Sequence, residues 1–93
     1  MRIIGNIPHQ TLKITVFKME NRLSVKLEDG LYEQTFKFRI DDRIQTLEDI
    51  KKIIDPLFIQ KVEQDIALMH QLKTEAIQRN LPPINTEEFD LIL

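Results

Sequence analysis

The 93-residue chain has no cysteine, two glycines and two histidines. Without cysteine, disulfides and thiolate metal sites are excluded, and the cytoplasm is the expected compartment. Neither Gly5 nor Gly30 belongs to a run able to cradle a phosphate. No stretch approaches the roughly 20 apolar residues of a membrane span, and the opening Met1–Asn6 is too poor in consecutive apolar residues for a secretory leader. No membrane partner is therefore expected. His9 and His70 stand alone. A helical metal site at His70 would need a second ligand three or four residues away, where the chain has Ile66, Ala67, Lys73 and Thr74. The carboxylates Asp41-Asp42 and Glu48-Asp49 fall where a helix begins, and capping explains them there. The sequence thus predicts no catalytic residue, no metal ligand and no cofactor, and the chain reads as a non-enzyme.

Hydrophobic content of 42% and charged content of 30% are those of a folded globular protein, and the length allows one domain, 1–93. The charges divide unevenly. Residues 1–40 hold seven Lys or Arg against four Asp or Glu, whereas residues 41–93 hold six against eleven. The first part is basic and the second acidic. That asymmetry fits complementarity within one fold or between subunits, and it also fits a polyanion-binding sheet. The pI of 5.6 is far from the basic domains that bind nucleic acid.

Residues 1–40 read as an antiparallel β-meander of three to four strands. Leu23, Val25 and Leu27 alternate with polar residues, then Asp29-Gly30 precedes a second alternating run through Tyr32, Phe36, Phe38 and Ile40. Asp-Gly suits a two-residue hairpin loop in which both residues have φ above zero. Folding there pairs Leu27 with Tyr32, Val25 with Gln34 and Leu23 with Phe36, placing the apolar partners on one face. Ile3, Ile4 and Ile7, followed by Pro8, suit an edge strand or an extended arm. Thr11 to Met19 is a strand apolar on both sides. A loop at Glu20-Asn21 puts Ile14 and Val16 opposite Leu27 and Val25, and leaves Phe17 and Met19 on the outer face. Something is expected to cover that face: the N-terminal arm, the C-terminal segment or another subunit.

A short helix is predicted over 46–54, with Thr46 as N-cap and Leu47, Ile50, Ile54 and Leu57 at helical spacing. Asp55-Pro56 ends it and starts a long helix over 56–79. Its apolar stripe is Phe58, Val62, Ile66, Met69, Leu72, Ala76 and Ile77, and Glu75 to Arg79 is a supporting charge pair. Such a helix is about 36 Å long and must span or overshoot a molecule roughly 30 Å across. Pro82-Pro83 tether a segment, 81–93, with a helical turn possible after Thr86. The fold class is α+β.

Two functions are compatible with this pattern. The first is a small interaction or adaptor module, a homodimer with room for an unidentified protein partner, with Phe17, Met19, Phe89, Leu91 and Ile92 as candidate interface residues. The second is an accessory nucleic-acid-binding protein using Lys13, Lys26, Lys37 and Arg39 on the outer face. Only Phe17 among the outward residues could stack on a base, and Glu28 and Glu33 share that surface. Phe89 to Leu93, four apolar residues with Asp90, are expected to dock on the outer sheet face or in a second subunit.

Overall fold

The computed structural model describes residues 1–83, so the expected C-terminal turn and the candidate residues Phe89, Leu91 and Ile92 lie outside the described residues. Four strands, β1 (Arg2–Ile7), β2 (Lys13–Met19), β3 (Arg22–Asp29) and β4 (Tyr32–Arg39), precede two helices, α1 (Leu47–Ile53) and α2 (Pro56–Asn80). The strands form one antiparallel sheet in the order β1-β2-β3-β4. This is the α+β arrangement expected, with β1 as an edge strand. A register shift between Ile3 and Gly5 lets Ile4 join the side that packs on the core. Gly5 lies beside it, and a Cβ there would meet the Leu47 side chain of α1, which would have to shift.

Strand alternation sorts the sheet into two faces. Leu12, Ile14, Val16, Leu23, Val25 and Leu27 are buried beneath Ile50, Ile54, Ile59, Val62 and Ile66 from the helical segments. Ile14 lies opposite Leu27, and Val16 opposite Val25, as the Glu20-Asn21 loop predicts. Glu20 has φ 52°, an unusual left-handed value for a residue with a side chain.

The second hairpin corrects the sequence reading. Leu27 pairs with Gln34, Val25 with Phe36 and Leu23 with Phe38, and Asp29 lies opposite Tyr32. The two loop residues are therefore Gly30 and Leu31, not Asp29 and Gly30. Gly30 has φ 61° and Leu31 has no positive φ, so glycine supplies the positive φ at the first loop position. The displacement is two residues, which preserves the faces. The observed register sets both Phe36 and Phe38 against fully buried aliphatics, whereas the expected one would have carried Phe38 past the end of β3.

One position on the core-facing side of β4 is polar. Gln34 faces inward between Tyr32 and Phe36, and its amide nitrogen reaches the Met69 sulfur at 3.7 Å. Its buried Oε1 has no hydrogen-bond partner among the described residues. Removing an unsatisfied buried acceptor recovers its desolvation cost. Gln34→Leu is expected to raise stability by about 1–2 kcal/mol, measured by urea unfolding; an unchanged or lowered midpoint would mean that the amide is satisfied in solution.

The helix starts follow the sequence. Thr46 Oγ1 accepts from the Asp49 amide at 3.3 Å, and Asp49 Oδ2 accepts from the Gln45 and Thr46 amides at 2.9 and 3.0 Å. This reciprocal cap closes the first turn of α1. Asp55 caps α2 by accepting from the Phe58 amide at 2.8 Å, with Pro56 behind it. The break also changes the helical phase, so Leu57, expected on the apolar stripe, is 58% exposed, while Ile59 is buried instead.

The amides of Gln45 and Thr46 hold the Asp49 carboxyl below its ordinary value. A carboxyl depressed on folding stabilises fully above the ordinary carboxylate range, and that contribution is lost as pH falls through the folded value. Stability of the wild type is thus expected to decline below about pH 4, with Asp49→Asn showing a shallower decline. Denaturant midpoints from pH 7 down to pH 2 measure this; parallel curves for the two proteins would reject the role.

Candidate interaction surfaces

The outer face of the sheet has no described element packed over it. Strand pairing arranges its side chains in cross-strand rows. Lys13, Glu28 and Glu33 form one row, Asn6, Thr15, Lys26 and Thr35 the next, then Ile3, Phe17, Ser24 and Lys37, and finally Met19, Arg22 and Arg39. The predicted residues Phe17 and Met19 do lie on this side, where Ile3 joins them. Ile3 and Met19 are 61% and 46% exposed, and Phe17 is half-buried.

The candidate basic residues do not form a uniform surface. At one end, Glu28 and Glu33 stand opposite each other, and Lys26 neutralises them from 3.6 Å on either side. Lys13 sits across from Glu28. This end is balanced. At the other end Arg22 and Arg39 are directly opposite, with Lys37 two residues from Arg39 on the same face. Among the described residues the ion pairs are made by Lys26, Arg43 and Lys51, and no carboxylate lies within ion-pair distance of Arg22, Lys37 or Arg39. Like charges placed opposite each other weaken a sheet unless something else neutralises them. Arg22, on the same face, stands opposite Arg39 and not opposite Lys37, where the expected register would have put it.

A second surface lies across the molecule, where α2 passes the Gly30 hairpin. Phe58 packs edge-on against Phe36 at 5.0 Å between centroids, and the Tyr32 hydroxyl shares a hydrogen bond with His70 Nδ1 at 2.7 Å. Lys73 stands 5.2 Å from the Tyr32 ring centroid. These contacts show α2 running towards the hairpin loop. A groove of about 720 Å³ opens between them, lined by Gly30, Tyr32, Ile66, His70, Lys73 and Ile77. It is wide and open, unlike an enclosed site that strips water from reacting groups. Among the described residues, no group of three His, Asp or Glu side chains is placed to hold a metal ion, and no helix is long and apolar enough to cross a membrane.

The third surface is the end of α2. Ile66 is the last buried residue of the helix, and Met69 the last packed against the core. The expected stripe continues through Leu72 and Ile77, but these are 67% and 48% exposed, as is Leu81 at 60%. Glu75, expected to pair with Arg79, instead accepts from Gln71 at 3.0 Å. Asn80 closes the helix on the Ala76 carbonyl at 2.7 Å. Compared with protein families, with curated proteins and with solved structures, the chain finds no match.

Proposed function

We propose that the protein is a non-enzymatic interaction module that acts as a homodimer. The observation that carries this reading is the last part of α2, which extends past the sheet with Leu72, Ile77 and Leu81 exposed. A helix of 25 residues is about 37 Å long; it packs against the core as far as Met69 and meets Tyr32 through His70 and Lys73, which leaves about its last two turns beyond these contacts. Apolar side chains at this density on a projecting helix are typical of an interface. The outer patch of Ile3, Phe17 and Met19 supplies a second surface of the same character. Light scattering after size exclusion at micromolar concentration should give about twice the chain mass of 11.0 kDa. Leu72→Lys with Ile77→Lys should reduce it to the single-chain value. A wild-type monomer at that concentration would end this reading.

One observation favours a second reading, a polyanion-binding protein: the Arg22–Arg39 pair has no carboxylate beside it among the described residues. Phosphate contacts weaken steeply with salt, so retention on a polyanion column that falls away between 50 and 200 mM salt would support it. Elution in the void at low salt would reject it.

A further inference from the structure

The two ends of the outer sheet face carry the same electrostatic problem and only one carries its solution. Glu28 opposite Glu33 is bridged by Lys26, whereas Arg22 opposite Arg39, with Lys37 alongside, has no bridging carboxylate among the described residues. Next to those three cations, on the same face, lie Ile3, Phe17 and Met19. The surface therefore asks for an occupant that is acidic and apolar at once, with the two characters side by side.

We propose that this corner is the docking site for residues 87–93 of a second copy of the chain. Their sequence, Glu87-Glu88-Phe89-Asp90-Leu91-Ile92-Leu93, supplies three carboxylates interleaved with four apolar side chains. Glu87, Glu88 and Asp90 answer Arg22, Lys37 and Arg39, and Phe89 with the aliphatics answers Ile3, Phe17 and Met19. A nucleic acid matches less well. It offers phosphate for the cations but would meet a protein whose residues 41–93 carry eleven acidic against six basic side chains. The inference rests on the homodimer reading and names the contact within it.

Reach makes the contact intermolecular. His70 lies beside Tyr32, and α2 continues ten residues to Asn80, about 15 Å further along. Arg39 is seven residues from Tyr32 in the opposite direction, about 24 Å along β4. The end of α2 is thus roughly 39 Å from the Arg22–Arg39 row, and on the other side of the sheet. Nine residues, Leu81 to Phe89, span about 32 Å at full extension. Glu87 and Glu88, seven and eight residues beyond Asn80, reach only about 25–28 Å and fall short of the Arg22–Arg39 row on their own chain. A two-fold axis across the long direction of the molecule removes the difficulty, because it lays each α2 terminus beside its partner's β2–β3 loop. Both contacts then form twice and the assembly closes at two.

Charge reversal on the full chain tests the pairing. Arg22→Glu with Arg39→Glu, and separately Glu87→Arg with Glu88→Arg, should each weaken dimerisation at least tenfold and give the single-chain mass under conditions where the wild type is dimeric. Combining all four substitutions should restore the dimer, a recovery that loss of folding in either variant could not produce. Far-UV circular dichroism and thermal midpoints confirm that each variant is folded. A dimer that survives either reversal overturns the inference while leaving self-association through α2 intact, and so does a combined variant that remains monomeric. Retention of the wild type on a polyanion column, abolished by Arg22→Glu with Arg39→Glu while its dimer persists, would overturn it in favour of nucleic acid. A wild-type monomer removes the homodimer reading itself, and the docking contact with it.

Discussion

Leu27→Ala is expected to lower stability by about 2–5 kcal/mol, because the removed methyl groups leave a cavity that the two-layer core cannot close. Leu27 is fully buried, between Ile14 on one neighbouring strand and Gln34 on the other. A domain of this size has only about 5–15 kcal/mol to lose, so the variant should unfold at much lower urea. Leu31, four residues on, is 85% exposed at the hairpin loop. Leu31→Ala should stay within about 0.5 kcal/mol of the wild type. The contrast between two leucines so close in sequence is the useful quantity. Equal effects would mean that the faces of the sheet are assigned wrongly.

The second large effect belongs to Gly30. Its φ of 61° falls where a β-branched residue meets its own backbone. Nothing lies within 4 Å of the place a Cβ would occupy, so the cost of a side chain here is conformational and not steric crowding by neighbours. Gly30→Val should destabilise by about 1–3 kcal/mol, whereas Gly30→Asn should cost much less, since asparagine tolerates the left-handed region. Thermal unfolding of the pair measures the difference. Equal midpoints for Val and Asn would show that the loop adopts another conformation in solution.

Much of the architecture was legible because burial imposes period two on strands and a longer period on helices. Ile14, Val16, Val25 and Leu27 could be matched across a loop at Glu20-Asn21 from alternation alone, and the capping residues Thr46 and Asp55 were readable from their chemistry. The Asp29-Gly30 hairpin shows where alternation stops being informative. A slip of one residue reverses the faces, but a slip of two preserves them, so the apolar pattern accepts both registers equally. Which glycine-containing pair forms the loop then depends on how many rows close beyond Leu23, and Phe38 opposite Leu23 decides it. The same ambiguity concealed the Arg22–Arg39 pair. Lys26 was readable as an outward basic residue, but not as the bridge between Glu28 and Glu33, because that depends on which acids stand beside each other. Leu72 and Ile77 continue a helical stripe in the sequence, yet periodicity carries no information on whether a sheet extends beneath them.

The short loops between consecutive strands have a kinetic meaning. Every strand pairs with its neighbour in sequence, so each step of sheet formation closes only a short loop of chain. Sheets assembled this way avoid the slow search that long-range strand pairing imposes. The steps that must bridge a long separation are the seating of the helices: Leu47 of α1 lies against Gly5, 42 residues back, and His70 of α2 meets Tyr32 from 38 residues away. During synthesis the β3–β4 hairpin leaves the ribosome before α2 does, and the apolar side of the sheet lacks that cover until the helix follows. The interval of exposure is set by the translation of some forty residues, a few seconds at about 5–20 residues per second, and not by the folding of the sheet.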